Sequence, residues 1–291
     1  MKLLKYSIGA IMVSLILQLC NACVNVKVAR FTRNDKQMQR FYSKKEVKFE
    51  IKYFTKGKNT IRALRVGDTS LPYFLMLHGS PGSNTDFDSY ISDTQFLNKY
   101  CMILCDRPGY GYSDFGKADT SILHQSKIIL ECLSPWLEGK KFSVLGYSFG
   151  GPVAATIASL VPKQISKLVL MSAAIAPGEE KVFDLSYTII KPKWKWLFPK
   201  AAYLPSAEKL AHKNALETIK PLIQTYPGEV LMIHGMADNL VYFSNTEFAK
   251  RNFINSKKLT IVGLPGQSHA ILWTKADLIK KYVLNFLERK L

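Results

Sequence analysis

The sequence predicts an α/β fold: a mostly parallel, doubly wound sheet covered by helices on both faces, with a small helical insertion. Three observations predict it. Tyr73 to Leu77, Met102 to Leu104 and Val230 to Ile233 are short, continuous apolar runs, the pattern of strands buried on both faces. Stretches with apolar residues near helical spacing separate them, so strand and helix alternate along the chain. The chain has 291 residues, 47% hydrophobic and 21% charged, which supplies a large core and excludes disorder, collagen and coiled coil.

The elements follow in order. Val47 to Thr55 and Asn59 to Val66 alternate apolar with polar residues across Lys56-Gly57-Lys58, predicting two antiparallel strands. The runs from Tyr73 and Met102 are buried strands, with a helix expected over Thr85 to Lys99 between them and a second over Thr120 to Leu137. Strand Phe142 to Leu145, helix Gly150 to Leu160 and strand Lys167 to Met171 continue the alternation. It stops from Ala176 to Gly228, where no buried strand is legible and Ser206 to Ile223 reads as a helix. It resumes with Val230 to Ile233, a helix around Glu247 to Phe253, strand Leu259 to Val262 and a last helix, Lys275 to Leu287. Residues 176–228 are therefore an insertion in a sheet that carries on without them.

Lys and Arg total 40 against 22 Asp and Glu, a formal charge of +18. Half of the excess lies between Val24 and Leu71, with 13 basic and 4 acidic residues. These charges are spread out, without zinc-finger spacing or an aromatic RNA-binding signature, so no nucleic-acid partner is expected. A solvated basic surface, or attraction to anionic headgroups, accounts for them. Lys2 and Lys5 precede an uncharged run from Tyr6 to Leu19, too short to span a bilayer, which needs about 20 residues. With small residues following, residues 1–22 read as a secretory signal. Ala22-Cys23 resembles a bacterial lipoprotein site, with Cys20 standing where Leu is usual. That resemblance implies lipidation of Cys23, residues 23–44 as a basic spacer, and a membrane-anchored, extracytoplasmic protein; plain secretion and an uncleaved anchor are the alternatives. Cys101, Cys105 and Cys132 are expected as buried free thiols. The five histidines are scattered with no H-E-x-x-H, and neither a metal nor a cofactor is expected.

The chemistry is concentrated in four segments. Gly146-Tyr147-Ser148-Phe149-Gly150-Gly151 follows a strand and opens a helix, the context a G-x-S-x-G nucleophile elbow requires. A serine hydroxyl needs a base to take its proton and a carboxylate to orient that base. Asp238 follows the strand Val230 to Ile233, and His269 falls between the last strand and the last helix, giving the chain order Ser, Asp, His. The backbone N–H of Phe149 and that of Ser80, in His78-Gly79-Ser80-Pro81-Gly82, are the expected oxyanion donors.

With these segments, and with Asp106-Arg107-Pro108-Gly109-Tyr110-Gly111-Tyr112-Ser113 matching D-x-P-G-x-G-x-S, the sequence resembles the α/β-hydrolase superfamily, in its capped esterase and lipase-like branch. The resemblance covers roughly Val47 to Leu287. It implies an α/β-hydrolase domain over residues 45–291 with a Ser148, Asp238, His269 triad and a lid over residues 176–228. Tyr147, beside the elbow serine, and Trp194 and Trp196 in the lid are the expected substrate contacts, with a small apolar ester as substrate. Ser148 disfavours the branches that use Asp as nucleophile. A carboxylesterase working through an acyl-enzyme is the activity implied. Hydrolysis of a thioester, lactone, peptide or carbon–carbon bond, and a non-catalytic binding protein, are the alternatives.

Overall fold

Residues 32–288 are described by the computed structural model. The signal and the lipidation site at Cys23 lie outside the described residues. Eight strands form one sheet in the order β1-β2-β4-β3-β5-β6-β7-β8. They are β1 (Phe49–Lys56), β2 (Asn59–Val66), β3 (Tyr73–Leu77), β4 (Cys101–Cys105), β5 (Phe142–Tyr147), β6 (Ile165–Met171), β7 (Glu229–Gly235) and β8 (Lys258–Leu264). The first hairpin is antiparallel, with Phe49 opposite Val66 and Lys56 opposite Asn59, and β2 pairs antiparallel with β4. All pairings from β4 to β8 are parallel.

The continuous apolar runs are explained by what lies on either side of the sheet. Alternate residues of β3 enter two different cores, Tyr73, Leu75 and Leu77 one and Phe74 and Met76 the other. Every residue of β3 and β4 is buried. The first core is closed by helices α2 (Ile122–Leu137) and α3 (Gly150–Leu160), and the second by α1 (Asp35–Ser43) and α7 (Ala276–Glu288). Cys101, Cys105 and Cys132 are buried and free, as expected.

Three expectations need correction. Residues 85–99 do not form one helix: a 3-10 turn (Asn84–Phe87) and two short helical turns (Asp88–Ile91 and Thr94–Leu97) replace it. Ser83 Oγ accepts from Thr85 N–H and Asp93 Oδ1 from Gln95 N–H, so local side-chain bonds restart the chain and interrupt a longer helix. The stretch read as a spacer is not free chain from residue 35 onward. Asn34 and Gln37 form a capping box that starts α1, and α1 buries Met38 and Tyr42 against the second core. Arg62, almost fully buried, donates to the Arg33 carbonyl and pairs with Asp35 at 2.8 Å, fastening α1 to β2.

Within the insertion the structure places α4 (Asp184–Ile189), a 3-10 turn (Lys195–Leu197) and a long helix, α5 (Lys200–Ile223). The long helix begins six residues before its expected start, continuing through Pro205. A proline there forfeits the hydrogen bond to the Ala201 carbonyl and crowds that carbonyl, a cost offset by the buried stripe of the helix. After the insertion come α6 (Asn245–Asn252) and α7, both within two residues of expectation at each end.

Candidate active site

Strand order reverses beside β3: β4 lies on one side and β5 on the other. Open α/β sheets form a crevice at the carboxyl ends of strands at such a point. Here it receives the segment after β3, which contains Ser80, and the turn after β5, which contains Ser148. Ser148 has φ of 52°, in the left-handed region that L residues occupy at a cost of about 1–3 kcal/mol. The backbone can turn this sharply because a Cβ at Gly146 would lie 2.1 Å from the Gly150 carbonyl oxygen. Gly79 is similarly constrained: a Cβ there would be 3.0 Å from the Cβ of Ser148. Bare backbone is what lets the Ser80 segment approach the elbow.

Three side chains from separate loops meet at Ser148. Its Oγ lies 3.0 Å from His269 Nε2, and His269 Nδ1 lies 2.7 Å from Asp238 Oδ2. A carboxylate can only accept, so Nδ1 carries the proton and Nε2 is left to accept from the Ser148 hydroxyl. Asp238 Oδ1 accepts from the N–H groups of Leu240 and Val241, each at 2.9 Å. Burial alone would push the Asp238 carboxyl up. Hydrogen bonds from His234 and His269, together with the backbone, outweigh it and hold the group well below the usual carboxylate range.

Phe149 is the N-cap residue of α3, an end where N–H groups have no partner inside the helix. Ser80, Ser148, Phe149 and His269 all line one cavity of about 360 Å³, roofed by α4 and the start of α5. Its other walls are mainly apolar, among them Phe183, Leu185, Ile189, Pro205 and Val241.

An α/β hydrolase fold family matches residues 72–215. With the sheet order, elbow and crevice above, that match decides the assignment. The chain has the α/β-hydrolase fold. A 138-residue stretch, 46% of the chain, is 28% identical to esterase FrsA of Yersinia pestis (strain Pestoides F). The chain spans about a third of the length of the curated relatives it matches, 33% in that case. Among solved structures it is similar to a membrane phospholipase A described as a novel bacterial virulence factor (TM-score 0.65, 17% identity, all of both chains covered). It is also similar to the 2-hydroxy-6-oxo-6-phenylhexa-2,4-dienoate hydrolase of Rhodococcus sp. strain RHA1 (TM-score 0.65, 18% identity, 84% of this chain and 100% of that one). A third is the enol-lactonase of Burkholderia xenovorans LB400 (TM-score 0.66, 15% identity, 82% and 100%). At these identities the structural likenesses show the shared fold.

Not every expected site residue of this α/β-hydrolase fold reaches the cavity. Tyr147 is buried behind it: its hydroxyl donates to the His269 carbonyl at 3.0 Å, and its ring lies 5.2 Å from the imidazole. It braces the histidine loop and does not line the cavity. Trp194 and Trp196 are also outside the cavity, 40% and 50% exposed on the cap. Glu179 and Glu180, the other acids near the end of β6, are engaged elsewhere, Glu179 by Ser244 and Glu180 by Lys209 and His212.

Two groups escaped the motif reading. His234, fully buried, donates from Nε2 to the Val241 carbonyl at 2.9 Å and lies 3.4 Å from Asp238 Oδ2, so it helps to hold the loop that carries the acid. The second is a buried cluster beneath the cavity floor. Arg107 donates from Nη1 to Glu208 Oε1 (2.8 Å) and Gln125 Oε1 (2.7 Å), from Nη2 to the Gly79 carbonyl (2.9 Å), and from Nε to the His78 carbonyl (2.9 Å). Tyr110 donates its hydroxyl to Glu208 Oε2 at 2.6 Å and is 2.7 Å from Ser80 Oγ. One carboxylate from the cap helix α5 thus holds the loop bearing Ser80. His78 completes the cluster. Its Nε2 accepts the Arg107 N–H, and burial, aided by the Arg107 charge, keeps the imidazole neutral. The signal for Glu208 was its spacing: with His212 it falls in the stripe of Leu204, Leu216, Ile219 and Ile223, all buried.

Proposed function

We propose that the protein is a serine hydrolase that cleaves carboxylic esters with apolar acyl groups. The observation that carries this reading is the continuous relay from Ser148 Oγ through His269 to Asp238, opening into a mainly apolar cavity. The esterase similarity of residues within the matched 138-residue stretch supports it.

The geometry supplies each step. As Ser148 Oγ attacks the ester carbonyl carbon, its proton passes to His269 Nε2 and the carbonyl π pair moves to oxygen. The N–H groups of Phe149 and Ser80 are the donors for that oxyanion; losing one such donor typically costs about 2.7–4 kcal/mol. Collapse of the tetrahedral adduct breaks the bond to the alcohol, which leaves with the proton from His269. Water then attacks the acyl-enzyme by the same relay, freeing the acid and restoring Ser148. Asp238 stays ionised throughout and stabilises the imidazolium.

The test is a series of p-nitrophenyl esters of increasing acyl length with a peptide amide as control. Turnover is expected on the esters, falling once the acyl group outgrows the cavity, with the amide uncleaved. Asp238→Asn is expected to lower kcat by about 10⁴-fold, because His269 loses the acceptor that fixes its tautomer. A flat response to all esters, or an Asp238→Asn variant within tenfold of the parent, contradicts the reading.

Location is part of the same proposal: a mature chain starting at Cys23, lipidated and held on the outer side of a membrane. Its support is the sequence of residues 1–25, with the basic segment after it adding attraction to anionic headgroups. Mass spectrometry of the mature N-terminus is expected to find a diacylated Cys23. An intact Met1 overturns cleavage, and an unmodified residue after cleavage overturns the anchor.

A further inference from the structure

The cap segment carries apolar rings and aliphatic chains that the fold leaves half-uncovered. Phe183, Leu185 and Tyr187 are 50%, 59% and 54% exposed, although Ser186 and Ile189 of the same short helix are buried. Trp194 and Trp196 add two more half-exposed rings. Five lysines and a single acid, Asp184, lie between Lys181 and Lys200. Lys181 Nζ lies 5.2 Å from the ring centre of Phe183, and Lys193 Nζ lies 5.5 Å from that of Trp194, so cations and rings share this surface. The patch is continuous with the mouth of the cavity, because Lys181, Phe183 and Leu185 also line it.

That composition selects among partners. Protein interfaces are depleted in lysine, whereas this patch is interleaved with it. A bilayer boundary accepts both parts, with Trp, Tyr and Phe rings at headgroup depth and lysine stems reaching back to the phosphates. Near absence of acids makes the surface complementary to anionic lipid. Among the described residues no helix is long and apolar enough to cross a membrane, so the contact would be peripheral.

We propose that the cap segment from Lys181 to Lys200 docks on an anionic lipid bilayer, turning the mouth of the cavity toward the membrane. The substrate would then be the acyl ester of an amphiphile drawn from the bilayer. This second statement rests on the ester-hydrolase reading; the docking itself does not.

Tryptophan quenching tests the docking on the full chain. The chain's four tryptophans are Trp136, Trp194, Trp196 and Trp273, of which Trp136 is buried. Phosphatidylglycerol vesicles with brominated acyl chains are expected to quench the fluorescence, and neutral phosphatidylcholine vesicles with the same bromines to quench it weakly. The quenching should disappear in Trp194→Phe/Trp196→Phe. Lys191→Gln/Lys193→Gln is expected to weaken vesicle affinity about thirtyfold at low salt, leaving hydrolysis of a water-soluble short ester unchanged. Absence of quenching in the parent chain overturns the proposal. So does quenching that survives loss of both cap tryptophans, which would place the membrane contact elsewhere, or sedimentation showing the patch buried against a second copy. Quenching reports docking without turnover, and the soluble ester reports chemistry without a membrane, so a failure of either idea is separately visible.

Discussion

Ser148→Ala is expected to reduce ester hydrolysis by about 10⁵- to 10⁶-fold while the protein remains folded. The size follows from what the proposed reaction loses: the nucleophile of a relay whose members act as a unit, so that losing one forfeits nearly all that the three achieve together. Residual activity would come from the Phe149 and Ser80 donors and from binding alone. Stability should change little, because alanine keeps the Cβ and must adopt the same φ of 52°. What it loses is one hydrogen bond to His269, worth about 0.5–1.5 kcal/mol. Steady-state kinetics with thermal melting distinguishes this outcome from simple unfolding. A variant within a hundredfold of the parent would show that another group attacks.

Glu208→Ala is expected to destabilise the fold by about 3–5 kcal/mol, the usual result of removing one member of a buried ion pair. Arg107 and Glu208 are 0% and 2% exposed, so neither side chain can recruit solvent. Deleting the carboxylate leaves the guanidinium charge unpaired and takes one acceptor each from the Tyr110 hydroxyl and the Gln125 amide, which keep only Ser80 Oγ and the Asp119 carbonyl. The damage extends to the site, because Arg107 also holds the carbonyls of His78 and Gly79 next to Ser80. Denaturant unfolding at constant m-value measures the loss. Replacing both partners, as in Arg107→Met/Glu208→Leu, should recover only part of the stability: the desolvated charge is gone, but the His78 and Gly79 carbonyls and the Gln125 amide oxygen lose their donor. A single-variant loss below about 1 kcal/mol would mean the pair does not anchor the cap.

The parts of this molecule that were legible in sequence are those specified by local pattern. Strand β3 was read to the residue because Tyr73 to Leu77 is apolar on both faces and closed by His78-Gly79. The approach of Ser148, Asp238 and His269 was legible because each stands at the carboxyl end of a strand, and sheet topology does the rest. Contacts made across the fold were not. Glu208 looked like one more charged residue of an amphipathic helix, and only the depth of its stripe tells otherwise. Trp194 and Trp196 advertised an apolar lid, but aromatic content does not reveal which side of the lid faces the pocket. Tyr147 was read as a substrate contact, since its position in the elbow fits that role as well as the one it has, bracing His269 from behind. The helix Asp35–Ser43 was hidden in a basic stretch, although its Asn34 and Gln37 carry an N-terminal capping signature.

The central claim is that Ser148 is the nucleophile. The most direct measurement is mass spectrometry of the wild-type protein after exposure to a fluorophosphonate, which captures a serine only where a base has activated it. One adduct per chain is expected, located by fragmentation on Ser148. An unmodified protein, or an adduct on a different residue, would contradict it.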